Sequence, residues 1–297
     1  MHLHMNNDID SNFQRSFNQS GNELELYITN ELSLNFQIQN QPTFLDLDEG
    51  KSRDGDILAN EKFPAKYEIN SKNQNKHMTA QLVLTIECKC LPDHAWIFTE
   101  GEISQCCWYF SLIRDKDDFH EFLCPKTTLN ELRGAKTFLE RIADWKDKNQ
   151  LRSNQQRNNI HDSSIKLIKL TRGLIGEDKS KAKTLYKSWN NVNEVTFFKI
   201  YQPVIVFNGH LYLKRKSVDR ILNVKYLQLE RQYKTNAYDE DVTIHVVSSK
   251  HIQEYVNLIR SYYMIGSSYI LENQHDITKI VKANLIRRDD FNPFKNI

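Results

Sequence analysis

Ala80-Gln81-Leu82-Val83-Leu84-Thr85-Ile86-Glu87-Cys88-Lys89-Cys90 is the stretch on which the fold turns. Leu82 to Ile86 run together, rich in β-branched residues and apolar on both faces of a strand. Such a run fits the centre of a sheet covered by helices on both sides. Glu87 and Lys89 stand two apart at its end, so alternation puts them on one side. Charges at the end of a buried strand cost free energy unless they are paired or bind a metal. An acid, any residue, then Lys occurs four times: Glu49-Gly50-Lys51, Glu87-Cys88-Lys89, Asp144-Trp145-Lys146 and Glu177-Asp178-Lys179. Only the 87–89 copy follows a long buried-strand pattern. A structural Glu–Lys pair on a strand rim is the plain alternative.

Working outward, Leu24, Ile28 and Leu32 fall at helical spacing and predict an amphipathic helix. Phe36 and Ile38, then Phe44, Leu45 and Leu47, read as a first strand or hairpin arm. A polar turn from Asp46 to Arg53 leads to Asp56-Ile57-Leu58-Ala59, the next strand. Residues 66–79 read as a polar excursion, Trp96-Ile97-Phe98-Thr99 as a strand, and 102–113 as a helix. The segment 125–190 changes character: Leu129, Leu132, Phe138, Leu139, Ile142 and Trp145 predict one or two helices, and lysines crowd its second half. Pro203 to Leu213 reads as a hairpin turning at Asn208-Gly209. Val242 to Val247 is another strand, and Ile252, Tyr255, Val256 and Ile259 predict a closing helix. The alternation implies a mixed α/β sheet with helices on its faces. The expected organisation is a flexible lead-in at 1–19, a core from 20–124 and 191–265, a basic, mostly helical insertion at 125–190, and a C-terminal extension at 266–297.

Across 297 residues, 40 Lys+Arg face 38 Asp+Glu, so the net charge of +2 neither demands nor excludes a nucleic-acid partner. With 39% hydrophobic residues the chain can build a core, so wholesale disorder is not expected. No run of 18 apolar residues predicts a membrane span, and the polar start Met1 to Asp8 predicts no secretion signal. Five cysteines, an odd number, predict reduced thiols in a cytoplasm rather than a disulfide framework. Cys88, Cys90, Cys106, Cys107 and Cys124, with His94 and His120, lack the paired spacing of a zinc ribbon or finger.

If the strands at 56–59 and 80–90 are neighbours, Asp56, Glu87 and Lys89 converge. Two carboxylates suit a hard cation such as Mg²⁺, which takes few protein ligands and keeps several waters. A bound cation polarises a phosphoryl oxygen and yields hydroxide near neutral pH. A lysine beside it orients or deprotonates the water, or stabilises developing charge. These parts match metal-assisted phosphodiester hydrolysis.

Arg53-Asp54-Gly55-Asp56-Ile57-Leu58-Ala59 followed by Leu84-Thr85-Ile86-Glu87-Cys88-Lys89 resembles the PD-(D/E)XK nuclease superfamily. Gly21-Asn22-Glu23-Leu24-Glu25-Leu26-Tyr27-Ile28 is similar to the first helix of its Mrr-like members. The likeness covers roughly residues 20–110, with weaker echoes at 195–260 that include Tyr201 to Gly209. It implies a restriction-endonuclease-like core: a mixed central sheet flanked by helices. It implies that Asp56 and Glu87 hold Mg²⁺ (or Mn²⁺), with the backbone carbonyl of Cys88 as a further ligand. Lys89 would position the attacking water, and Glu25, ahead of Glu23, would add a helix-borne carboxylate. The superfamily's Pro-Asp is replaced by Gly55-Asp56, and Asp54 is a rival for the metal. Gln105-Cys106-Cys107-Trp108-Tyr109 fits the Gln-x-x-x-Tyr pattern of RecB-like members, with both residues on one face of a helix. Lys166, Lys169, Arg172, Lys181, Lys183, Lys214, Arg215 and Lys216 offer phosphate contacts, or else a solvated helix face. The expectation is a cytoplasmic Mg²⁺-dependent endonuclease acting on DNA, with RNA as an open second substrate, a restriction or defence role, and a homodimer as one state. A non-catalytic nucleic-acid-binding protein on the same fold is the rival.

Overall fold

The structure, a computed structural model, describes residues 21–62, 65–71, 74–101, 109–110, 133–142, 159–187, 194–215, 220–235 and 239–272. Helix α1 spans Gly21–Leu32. Strands β1 (Phe36–Asn40), β2 (Thr43–Asp46), β3 (Lys51–Asp54) and β4 (Ile57–Glu61) follow. Next come β5 (Ala65–Ser71), the long β6 (Gln74–Glu100), β7 (Tyr109–Phe110) and β8 (Arg133–Ile142). Helix α2 (Asn159–Lys187) leads into β9 (Glu194–Lys214). Strands β10 (Ile221–Asn223), β11 (Tyr226–Lys234) and β12 (Asp239–Ser248) precede helix α3 (Ile252–Glu272).

The main sheet has ten strands and is mixed. Strands β1 and β4 pair antiparallel, as do β4 and β6. Strand β9 then runs parallel to β6 along most of its length, which requires the crossover that α2 supplies. Strands β6, β8, β11, β12 and β9 pair in turn, and β9 returns to β6, so these five form a closed circuit. Strands β2 and β3 form a separate hairpin.

The apolar run of β6 is covered on both faces, as its composition predicts. Leu82, Leu84 and Ile86 join Leu24, Ile28 and Leu32 of α1 and Ile252, Tyr255, Val256 and Ile259 of α3 in one core. Val83 joins Leu167, Ile168, Leu170 and Leu174 of α2 in the other, with Trp96 stacked on Phe207 at 3.9 Å between ring centroids. Residues 83, 85, 87 and 89 therefore share the face that α2 covers.

Several local readings are corrected. Residues 203–213 are not a hairpin but part of continuous β9. Gly209 serves close approach rather than a turn: a Cβ there would stand 2.6 Å from the Leu91 carbonyl oxygen and 2.8 Å from that of His94, at the register shift of β6 against β9. Residues 66–71 and 74–79, expected in a polar excursion, lie in the paired strands β5 and β6. Residues 133–142, read as helix, form β8, because pairing with β6 and β11 overrides local periodicity. Helix α2, within the segment read as a basic, mostly helical insertion, covers one face of the central strand.

Candidate active site

Strands β4 and β6 pair with Ile57 opposite Ile86, and one further step brings Asp56 opposite Glu87. Like charges facing across a ladder repel, so this pairing calls for a counter-ion. Gly55 lets the chain enter β4 tightly: a Cβ there would lie 2.7 Å from a Leu170 methyl carbon of α2. Asp54, the rival, belongs to β3, where Thr43 Oγ1 donates to it at 3.0 Å in the separate hairpin.

Asp56 Oδ2 accepts the backbone N–H of Cys88 at 2.8 Å, so the backbone of Cys88, rather than its thiol, meets the carboxylate. The ammonium of Lys166 lies 2.6 Å from Asp56 Oδ1 and 2.8 Å from Glu87 Oε2, bridging the two acids. Lys89 Nζ stands 2.8 Å from Glu87 Oε1. Oε1 is buried, so its charge is met by that ammonium and not by solvent. The Glu87 side chain is only 2% exposed.

Electrostatics follow from this packing. Burial pushes the Glu87 carboxyl above the usual carboxylate range, and Asp56 adds to the rise, while Lys89 and Lys166 oppose it. Glu25, on α1, is raised by burial and then by Asp56; it also feels Lys166, Glu87 and Lys89, which places it in the same electrostatic neighbourhood. Lys166 is held above its ordinary value: burial works against the ammonium, but Glu87 and Asp56 outweigh it. Burial lifts the Cys88 thiol well above its ordinary value, so it stays protonated and is a poor metal ligand.

Helix α2 is fixed so that Lys166 reaches the acids. Thr85 and Thr171 hydroxyls meet at 2.7 Å between β6 and α2. Lys169 binds Asp46 and Glu49 of the hairpin, each at 2.9 Å, and Arg53 binds Asp46 at 2.7 Å. Burial raises the Asp46 carboxyl, but hydrogen bonds from Lys169, Arg53 and the Asp48 N–H outweigh it and hold it below its ordinary value.

The structure thus gathers Asp56, Glu87 and Lys89, with Glu25 in their field. Reading 125–190 as an insertion missed Lys166 as their partner. A signal was present: Lys166 and Lys169 are interleaved with the apolar Leu167, Ile168 and Leu170 of a buried stripe. Among the other basic candidates, Lys169 is turned to carboxylates of its own chain and Lys181 pairs with Glu177 at 3.6 Å. Arg172 lies half-buried on α2; Lys214 and Arg215 lie at the end of β9, Lys214 exposed. The Lys183 side chain, Lys216 and Gln105 lie outside the described residues. Tyr109 sits on β7, paired opposite Tyr201, and not on the helix the Gln105–Tyr109 reading requires.

The donors fit a hard cation. Two carboxylates stand on either side of one ammonium ion, so their facing oxygens already share a single cation. Among the described residues no group of three or more His, Cys, Asp or Glu side chains is arranged to hold a metal. A cation on Asp56 and Glu87 would therefore complete its shell with water, as Mg²⁺ does. Cys88 and Cys90 are free thiols. Among the described residues no helix is long and apolar enough to cross a membrane. No family model, curated protein or solved structure matches this chain.

Proposed function

We propose that the chain is a Mg²⁺-dependent endonuclease that hydrolyses DNA phosphodiester bonds on a restriction-endonuclease-like core. The carrying observation is that Asp56 and Glu87 share one cation, the Lys166 ammonium, with Lys89 beside them. The element order supports the same reading: a helix, an antiparallel meander β1, β4, β6, then a helical crossover into parallel β9. DNA as substrate, a restriction or defence role and a homodimer rest on the resemblance of the motifs alone.

Asp56 and Glu87 hold the ion. When bound, Mg²⁺ polarises a phosphoryl oxygen and lowers the pKa of water. Lys89, 30% exposed and tethered to Glu87, orients the attacking water. In the step these groups would serve, the water passes a proton to solvent as its oxygen bonds to phosphorus, the bond to the leaving sugar oxygen breaks, and that oxygen takes up a proton from solvent. Glu25 adds a carboxylate beside the water.

A second reading is favoured by the same contacts: two lysines neutralise two acids without any metal, as in a structural ion pair of a binding protein. Incubation of supercoiled plasmid, linear DNA and single-stranded RNA with Mg²⁺, Mn²⁺ or EDTA separates them. The nuclease reading expects nicking that EDTA stops and that Glu87→Gln and Lys89→Met each abolish with the fold intact by circular dichroism. Salt-sensitive retention of DNA without product under every metal would establish the binding protein instead.

A further inference from the structure

Lys166 occupies the place a metal would take. Its ammonium touches one oxygen of each acid, and those two contacts laid end to end bound the separation of the oxygens. A single cation, directly or through its waters, serves both. Asp56 and Glu87 carry two negative charges, and Lys89 and Lys166 carry two positive ones. These two acids are already balanced by two ammonium ions, so a divalent ion gains little from them unless an ammonium leaves.

We infer that Lys166 is a displaceable internal counter-ion, which a divalent metal must expel from between Asp56 and Glu87, so that this lysine sets the metal concentration the site needs. The inference rests on the reading of Asp56 and Glu87 as metal ligands. Lys166 rather than Lys89 is the group that moves, because Lys166 alone bridges both acids. It has somewhere to go: its side chain is 38% exposed and ends a flexible four-carbon stem. The backbone that carries it stays, because Lys169, 16% exposed, anchors α2 to Asp46 and Glu49, and Thr171 ties it to Thr85. The exchange is therefore a side-chain swing and not a helix movement. Lys89 keeps its own ion pair with Glu87 Oε1 at 2.8 Å, so Glu87 stays partly neutralised after the swing.

Calorimetric titration of the nucleic-acid-free protein with Mn²⁺ tests this on the wild type, Lys166→Met and Lys166→Arg. Lys166→Met is expected to bind Mn²⁺ about tenfold more tightly, since a competing charge is gone, whereas Lys166→Arg stays near the wild type. Equal or weaker binding by Lys166→Met overturns the exchange and leaves the metal site standing. Absence of binding by the wild type and by Lys166→Met alike overturns both. The wild type gives a second readout, independent of any variant's folding. Reductive methylation, mapped by peptide mass spectrometry, should spare the Lys166 amine without metal and modify it with saturating Mn²⁺. Equal protection in both conditions overturns the inference.

Discussion

Replacing Thr171 by valine should destabilise the protein more than replacing Thr85, and replacing both should cost less than the two single changes together. The reason is a one-way chain of hydrogen bonds. Thr171 Oγ1 donates to the Leu167 carbonyl at 2.9 Å, which uses its only hydrogen. The 2.7 Å contact between the hydroxyls must then be donated by Thr85. Both side chains are buried, at 0% and 3% exposure for Thr85 and Thr171. Thr85→Val removes one donor and leaves Thr171 still bonded to Leu167, a loss of about 1 kcal/mol. Thr171→Val strands the Thr85 hydroxyl away from water, and an unsatisfied buried donor costs about 1–3 kcal/mol. The double variant removes that stranded group, so the coupling between the positions should be about 1 kcal/mol. Urea denaturation followed by circular dichroism measures all four proteins. In thermal melts each kcal/mol corresponds to about 2–4 °C. Simple additivity, or a larger cost for Thr85→Val, would refute the direction of the bond. Both residues lie within two turns of Lys166 or on the strand bearing Glu87, so Thr171→Val should also weaken cleavage.

The acid limb of stability should carry Asp46. Its carboxyl is depressed on folding, so its contribution is full above the unfolded value of about 3.9 and disappears as pH falls through the lower folded value. Asp46→Asn should flatten stability between pH 4 and lower pH, read by melts across that range. Glu87 works in the opposite sense: its carboxyl is raised, so folding stability falls as pH rises from about 4.3 through the folded value. Metal-free Glu87→Gln should lose that slope in the same melts, while cleavage is lost as well. Gly209→Ala forces a Cβ against two carbonyl oxygens and should cost about 1–3 kcal/mol in urea titration, whereas a mere turn glycine at an exposed tip would tolerate it far better.

Much of the core was legible because its residues obey local periodicity. The run Leu82–Ile86 is apolar on both faces, and the structure buries both faces. Leu24, Ile28 and Leu32 mark α1 by the same logic, and Ile252 to Ile259 mark α3. Asp56, Glu87 and Lys89 could be placed together once two strands were assumed adjacent. What failed were features decided by distant partners. Asn208-Gly209 carries a strong hairpin signal, yet the glycine answers the backbone of β6 rather than a turn. Strand β8 exists because two strands flank it, not because residues 133–142 alternate. Lys166 looked like one more surface base among many, because nothing in its own neighbourhood announces two carboxylates lying 110 and 79 positions upstream.

Strand β6 is a spine shared by β4, β5, β8 and β9, and Glu87 and Lys89 ride on it between the two cores. Amides in its middle have no fraying end to open from, so their hydrogen exchange should require disruption of the whole domain. Glu87 and Lys89 therefore lose their arrangement all at once with the fold. Heat would erase the proposed cleavage along the same curve that erases tertiary structure, with no earlier phase in which the site alone comes apart.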